Sequence, residues 1–241
     1  DIYRLKELNT PAPALIFVHG GAWRSGDRGD YLPYLVNYAA KGYVAITVSY
    51  RLVKVAKFPA AVQDVQCAVR WVKRHADHYG IDPDRIALIG GSAGGHLSMM
   101  VGYGGEEALF NEDCDVDSVN SRVNVVVNLY GPVDLTTPYA VSTYQVKDFL
   151  GTTYDTNPAL FVSASPRQYI SPDDPPTLTF QGTIDSLVPV SQADSLDVWL
   201  SRAGVHHEYH RLKGWPHAMD LSQKVNDYCR FYIDRFLERH L

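Results

Sequence analysis

A serine, a histidine and an aspartate, far apart along 241 residues, carry the chemistry that this sequence suggests. Ser92 stands in Gly90-Gly91-Ser92-Ala93-Gly94, a G-x-S-x-G pattern placed between an apolar run and a helix-like stretch. A serine at the tip of so tight a strand-to-helix turn has a strained backbone, and its neighbours two before and two after must be small for the turn to close. The turn holds Oγ clear of the sheet, and the next N–H, from Ala93, points to the same spot from a helix N-terminus. Glycine-rich turns of this kind also bind phosphates, but neither a G-x-G-x-x-G spacing nor a Walker lysine accompanies this one.

A hydroxyl is a weak nucleophile at neutral pH and needs a base beside it. Of the nine histidines, His217 in KGWPHAMD occupies a loop between the last strand-like run and the final helix. His206, His207 and His210 fall within an expected strand, and His75, His78 and His240 on polar helix positions. His96 lies one turn beyond Ser92, aimed away from its Oγ. The imidazole in turn needs an acceptor that fixes its tautomer and stabilises its cation. Asp185, in LTFQGTIDSLVP, follows the strand just before the one that leads to His217, so the two loops should be neighbours. Its rival is Asp134 in LYGPVDLT, read as a turn or an anchor for the segment behind it.

Attack of Ser92 on an acyl carbonyl would put negative charge on the carbonyl oxygen, which preorganised N–H donors must meet. LIFVHGGAWRSGD, residues 15 to 27, ends an apolar run on His19 and bares its backbone at Gly20 and Gly21. Gly21 and Ala22 are the expected oxyanion donors on one side and Ala93 on the other, with His19 pinning the loop by a hydrogen bond. Trp23 and Trp215 flank the oxyanion and base loops, where either ring is a candidate platform for an acyl group or sugar, or plain packing.

Positioning these residues requires a sheet. Short β-branched runs at 15–18, 44–49, 85–89, 123–129, 177–180 and 206–212 read as strands. Between them, 59–79 places Val62, Val65, Gln66, Val69 and Val72 on one helical stripe, and 191–203 does so with Ala193, Leu196, Val198 and Leu200. A last helix is expected over 221–237, burying Val225, Tyr228, Tyr232 and Phe236. Such alternation predicts an α/β chain with a mostly parallel sheet covered on both faces, its ligands at the carboxyl ends of the strands. Residues 131–176, rich in proline and tyrosine, interrupt the rhythm; short helices near 144–150 and 157–162 and a lid-like role are expected there.

Composition excludes other classes. The chain is 46% hydrophobic and 20% charged, with net charge −5 and no block of like charges, so neither nucleic acid nor a membrane is an expected partner. Cys67, Cys114 and Cys229 are few, odd in number and far apart, which argues against a disulfide framework and reads as buried small side chains. Asp113, Asp115 and Asp117 lack the glycine and distal glutamate of a calcium loop and read as a solvated turn.

The HGGAWRSGD, GGSAGGHL, GTIDSLVP and WPHAM stretches together resemble the α/β-hydrolase fold, in its esterase branch with an H-G-G-G type oxyanion motif. KFPAAVQDVQCAVRWVKRHADHYGIDPDRIALIGGSAGGH is similar to a subgroup of small bacterial acetyl and feruloyl esterases. The resemblance implies one α/β-hydrolase domain over 1–241, Ser92 as nucleophile, His217 as base and Asp185 as its partner. It implies no metal or organic cofactor and a small-molecule or carbohydrate ester substrate. Aryl formamidase, a small peptidase and a non-catalytic binding protein of the same fold stand as alternatives. Two departures are visible. Ala22 replaces the third glycine, and Asp1-Ile2-Tyr3-Arg4 looks like the end of the second strand, giving a sheet of about six strands and an edge suited to a homodimer.

Overall fold

The computed structural model describes every residue except 106, 112, 113 and 115–118. Seven strands form one sheet: β1 (Ile2–Tyr3), β2 (Ala12–Val18), β3 (Val44–Val48), β4 (Ile81–Gly91), β5 (Val125–Leu129), β6 (Thr177–Gly182) and β7 (His207–Leu212). Their spatial order is β1-β3-β2-β4-β5-β6-β7. All neighbours are parallel except β1, which pairs antiparallel with β3 through Ile2–Ile46 and Tyr3–Ala45. Thus the first residues add a seventh strand to the six expected, because two residues suffice to pair along the β3 edge.

Strand side chains alternate between two cores, as the two-residue period requires. Ile16, Val18, Ile46, Leu88 and Val126 face one, packed against α2 (Ala60–Arg74), α4 (Ala93–Gly104) and α8 (Ser191–Ala203). Leu15, Phe17, Ala87, Ile89, Val127 and Phe180 face the other, beneath α1 (Leu32–Ala40) and α9 (Gln223–His240). The central strands are buried on both faces, which explains why they read as continuous apolar runs rather than alternating ones.

The 59–79 stripe is buried as expected, but the helix breaks at His75 into α2 and a short α3 (Ala76–Tyr79), closed by left-handed Gly80. Helix α8 has the expected bounds and ends on Gly204 at φ 77°. Two stripes need correction. In α8, Val198 is 43% exposed, and in α9 the buried face is Val225, Cys229, Ile233, Phe236 and Leu237, with Tyr228 turned outward. Tyr228 packs edgewise and Tyr232 at a tilt against His210 instead, since their polar tips favour the surface.

The cysteine expectation also changes. Cys67 and Cys114, 47 residues apart, pair as a disulfide with Cα atoms at 5.6 Å, while Cys229 is free and buried. Asp113, Asp115 and Asp117 lie outside the described residues. The 131–176 segment folds as α5 (Pro138–Ser142), α6 (Tyr144–Leu150), α7 (Pro158–Ser163) and a 3-10 turn at Pro166–Tyr169. Among the described residues, no helix is long and apolar enough to cross a membrane.

Candidate active site

Strand β4 runs into Ser92, which has φ 55° and ψ −120°, and α4 begins at the next residue. The Ser92 N–H donates to the Leu129 carbonyl at 2.8 Å, tying the turn to β5. A Cβ on Gly90 would lie 2.3 Å from the Gly94 carbonyl carbon, and one on Gly94 would lie 1.9 Å from the Val18 carbonyl oxygen. Both glycines of the pattern are therefore enforced by backbone crossing backbone.

The two distant loops arrive at this turn. His217 Nε2 lies 2.9 Å from Ser92 Oγ, and His217 Nδ1 lies 2.6 Å from Asp185 Oδ2. A carboxylate only accepts, so the ring proton belongs on Nδ1 and Nε2 is left to accept from the hydroxyl. The Asp185 side chain is fully shielded from solvent. Burial pushes its carboxyl up, but the hydrogen bond from His217 and the N–H groups of Val188 and Leu187 outweigh this and hold it below the usual carboxylate range. Gln181 also donates to Asp185 Oδ2, at 2.9 Å. The rival Asp134 is elsewhere: its carboxylate accepts from Thr136 and from Arg167 of the 3-10 turn, bracing the 131–176 segment.

At the end of β2, His19 is buried, its Nδ1 2.8 Å from the Gly20 carbonyl and its ring stacked on Tyr50 at 4.2 Å. The Tyr50 hydroxyl donates back to the His19 and Gly20 carbonyls at 3.0 and 3.2 Å. Behind this clamp the chain turns through Gly21, Ala22 and Trp23 at φ 97°, 53° and 59°, and the Gly21 carbonyl accepts from Arg24 and Ser25. His96 does point away from Ser92, bonding the Ala164 carbonyl at 2.8 Å.

Two cavities meet at Ser92 and His217. The smaller, about 380 Å³, includes Ala22, Trp23, Ala93, Tyr139, Val146 and Leu187 in its lining. The wider one, about 910 Å³, is bounded by Gly21, Arg24, Asp30, Asn226 and Arg230 among others. Ala22 and Ala93 thus share a wall beside Ser92, with Gly21 on the wider side. Trp23 reaches the smaller cavity while stacking on Phe149 at 4.3 Å. Trp215 lines neither: it is half-buried and packs against the core on the α1 and α9 face, and its carbonyl lies against Gly182 and accepts from Ile184. Its backbone ties the His217 loop to the end of β6, an approach that the missing side chain of Gly182 allows, since a Cβ there would lie 2.1 Å from the Trp215 carbonyl oxygen.

Sequence reading missed Tyr139 and Val146, contributed by the 131–176 segment, and Tyr130 and Asp220, discussed below. Among the described residues, five non-glycine residues have positive φ: Ala22, Trp23, Ser92, Tyr130 and Ala218. All five line one or other cavity at Ser92. Backbone strain gathers where geometry is over-determined by its surroundings, and here it gathers around one hydroxyl.

Known proteins resemble this chain in sequence and in fold. The chain is 36% identical to the esterase LipC of Mycobacterium tuberculosis over 231 residues, covering 92% of this chain and 57% of LipC. It is 30% identical to the esterase LipQ of the same organism over 233 residues, 93% of this chain and 55% of LipQ. The chain therefore spans just over half the length of these relatives. Among solved structures, a truncated carbohydrate esterase from gut microbiota superposes with a TM-score of 0.82 at 27% identity, over 97% of this chain and 89% of that one. An acetyl ester-xyloside bifunctional hydrolase from Caldicellulosiruptor lactoaceticus gives 0.84 at 26% identity, over 98% and 86%. The fold is that of the α/β-hydrolases. Since the BD-FAE family model matches residues 1–200, most of the chain, the chain belongs to the BD-FAE family.

Proposed function

We propose that this protein is a serine carboxylic ester hydrolase that works through an acyl-enzyme, with short acyl or feruloyl esters of carbohydrates as its substrates. The observation that carries the reading is the unbroken line of contacts from Ser92 Oγ through the His217 ring to Asp185, at 2.9 and 2.6 Å. His217 Nε2 takes the hydroxyl proton as Oγ bonds to the acyl carbon, and Asp185 steadies the imidazolium that forms. The carbonyl oxygen becomes an oxyanion, met by the N–H groups of Ala22 and Ala93 with Gly21 beside them. Collapse expels the alcohol, which leaves with the proton from His217. Water then gives a proton to His217 as its oxygen bonds to the acyl carbon, and collapse breaks the bond to Ser92 Oγ, which takes the proton back from His217 as the acid leaves.

The smaller cavity, walled by Trp23, Tyr139, Val146 and Leu187, is assigned to the acyl group, with the 131–176 segment as its lid. The wider one, with Arg24, Asp30 and Asn226 on its walls, suits a polyhydroxylated alcohol. The carbohydrate esterase and the acetyl ester-xyloside hydrolase among the structural relatives support that substrate class. No step calls for a metal or cofactor.

Hydrolysis of p-nitrophenyl acetate tests the reading. The Ser92→Ala enzyme is expected to lose at least about 10³-fold in kcat, leaving what the oxyanion site and binding retain. Equal rates for the two proteins would overturn it. A panel of acetylated xylan, methyl ferulate and N-formylkynurenine then separates carbohydrate deacetylation, feruloyl release and formamidase activity.

A further inference from the structure

Tyr130 and Asp220 take no part in the proton relay, yet both converge on its histidine. Tyr130 follows β5 directly and has φ 47°, a conformation that an aromatic residue rarely adopts. Its N–H is bonded to the Phe180 carbonyl at 2.8 Å, and its ring meets the His217 ring at 4.7 Å between centroids, tilted by 63°. The hydroxyl then donates to Asp220 Oδ1 at 2.5 Å. Asp220 is only 6% exposed and lies three residues beyond His217, in the same loop. Asn226, on α9, donates to the Asp220 carbonyl at 3.1 Å and to the Tyr34 hydroxyl at 2.6 Å. Space for the phenols comes from Gly91, where a Cβ would lie 2.6 Å from the Tyr31 hydroxyl and 2.9 Å from that of Tyr130.

These contacts do more than fill a core. A buried carboxylate without a donor is costly, so a phenol that satisfies Asp220 fixes both ends of the contact. One end stands against the His217 ring and the other is the loop that bears His217. We infer that Tyr130 and Asp220 are positioning residues for His217: the phenol–carboxylate contact locks the base loop over Ser92, and the Asp220 carboxylate adds a second anion beside the imidazolium. This inference rests on the esterase reading above.

The groups that face His217 are few. Asp185 and Ser92 bond its two nitrogens, Tyr130 faces its ring from the end of β5, and Asp220 acts on it from its own loop. Tyr139, from the 131–176 segment, bears on Asp185 rather than on the ring. Burial raises the Asp220 carboxyl above the usual range, while the Tyr130 hydrogen bond and the field of His217 draw it back.

The test compares wild type, Asp220→Asn and Tyr130→Phe with p-nitrophenyl acetate, together with thermal unfolding. In Asp220→Asn the amide oxygen still accepts from Tyr130, so the loop stays fixed and only the charge goes. Its kcat should fall roughly tenfold, a fraction of the 10²–10⁴ that positioned proton transfer supplies, with KM little changed. With an anion removed from beside the imidazolium, the acid limb of its kcat/KM profile should move to lower pH. Tyr130→Phe loses the tether but leaves the carboxyl in place, so kcat should fall with a smaller displacement of the acid limb than in Asp220→Asn. If both variants keep wild-type kcat and an unmoved acid limb, or if neither folds, the pair is a stability element and the inference fails. Absence of hydrolysis by the wild type would instead end the esterase reading, a separate result.

Discussion

At Ser92 the backbone is held in an unfavourable region by atoms that cannot move far. The clearest is the Val18 carbonyl, 1.9 Å from where a Gly94 Cβ would stand. Gly94→Ala should therefore force β2 and the elbow apart and destabilise the fold by more than about 3 kcal/mol, beyond ordinary overpacking in a core. Urea unfolding at neutral pH measures this, and a change below about 1 kcal/mol would show that the crossing of strand and helix is slack. Gly90, Ser92 and Gly94 were legible because local sterics dictate them, and His217 and Asp185 because they follow strands that end at one rim. Tyr130 and Asp220 were not. Their meaning lies in a contact across 90 residues, and neither residue type nor spacing announces it. Trp215 shows the reverse: an aromatic beside His217 looks like a binding platform, yet it lines neither cavity, its carbonyl lying against Gly182 and its half-buried side chain against the core.

The elements that were easiest to read are those whose periodicity matches their burial. Strands β2, β3, β5 and β6 are runs of largely buried residues, β4 is one from Ile86 onward, and α2 carries a regular stripe. The 131–176 segment was legible only in part: α6 and α7 fall where expected, but five-residue α5 is too short to show a period. What holds this segment is decided by packing rather than charge. Phe149 of α6 stacks on Trp23 and packs edgewise against Phe58, and it is 1% exposed. Asp148, next to it, pairs with Lys57 at 2.6 Å and Arg24 at 3.2 Å on the surface. Removing a buried phenyl ring costs roughly 3–5 kcal/mol, whereas exposed ion pairs contribute about 0–1 kcal/mol. Phe149→Ala should thus lower unfolding free energy several times more than Asp148→Asn, as chemical denaturation of the two variants would reveal. The opposite ranking would mean that charge secures α6.

For the molecule as a whole, acid sensitivity is a sum over buried titrating groups. His96 is fully buried between Trp23 and Phe149, and desolvation pulls its imidazole down to about 4 from 6.5, despite the bond to Ala164. It stays neutral in the fold while the unfolded chain binds a proton below 6.5. The stability it supports is therefore complete above that pH and lost as pH falls toward 4. Asp185, held low in the fold, loses its own contribution only at still lower pH, and Asp174, raised to about 6 by burial, works in the opposite direction. The His96 share is isolated by difference: between pH 7 and 4.5, wild type should lose about 2 kcal/mol more stability than His96→Asn. Parallel stability curves for the two proteins would show that His96 is protonated without cost.

The five left-handed residues around the cleft have a consequence for any attempt to toughen this protein. At Ala22, Trp23, Ser92, Tyr130 and Ala218, glycine would relax the main chain, so a search guided by backbone comfort alone would favour glycine at each. Every such gain would be drawn from the walls of the cavities at Ser92. Heat tolerance for this molecule is better sought in distant helices and loops, leaving the tension around its hydroxyl untouched.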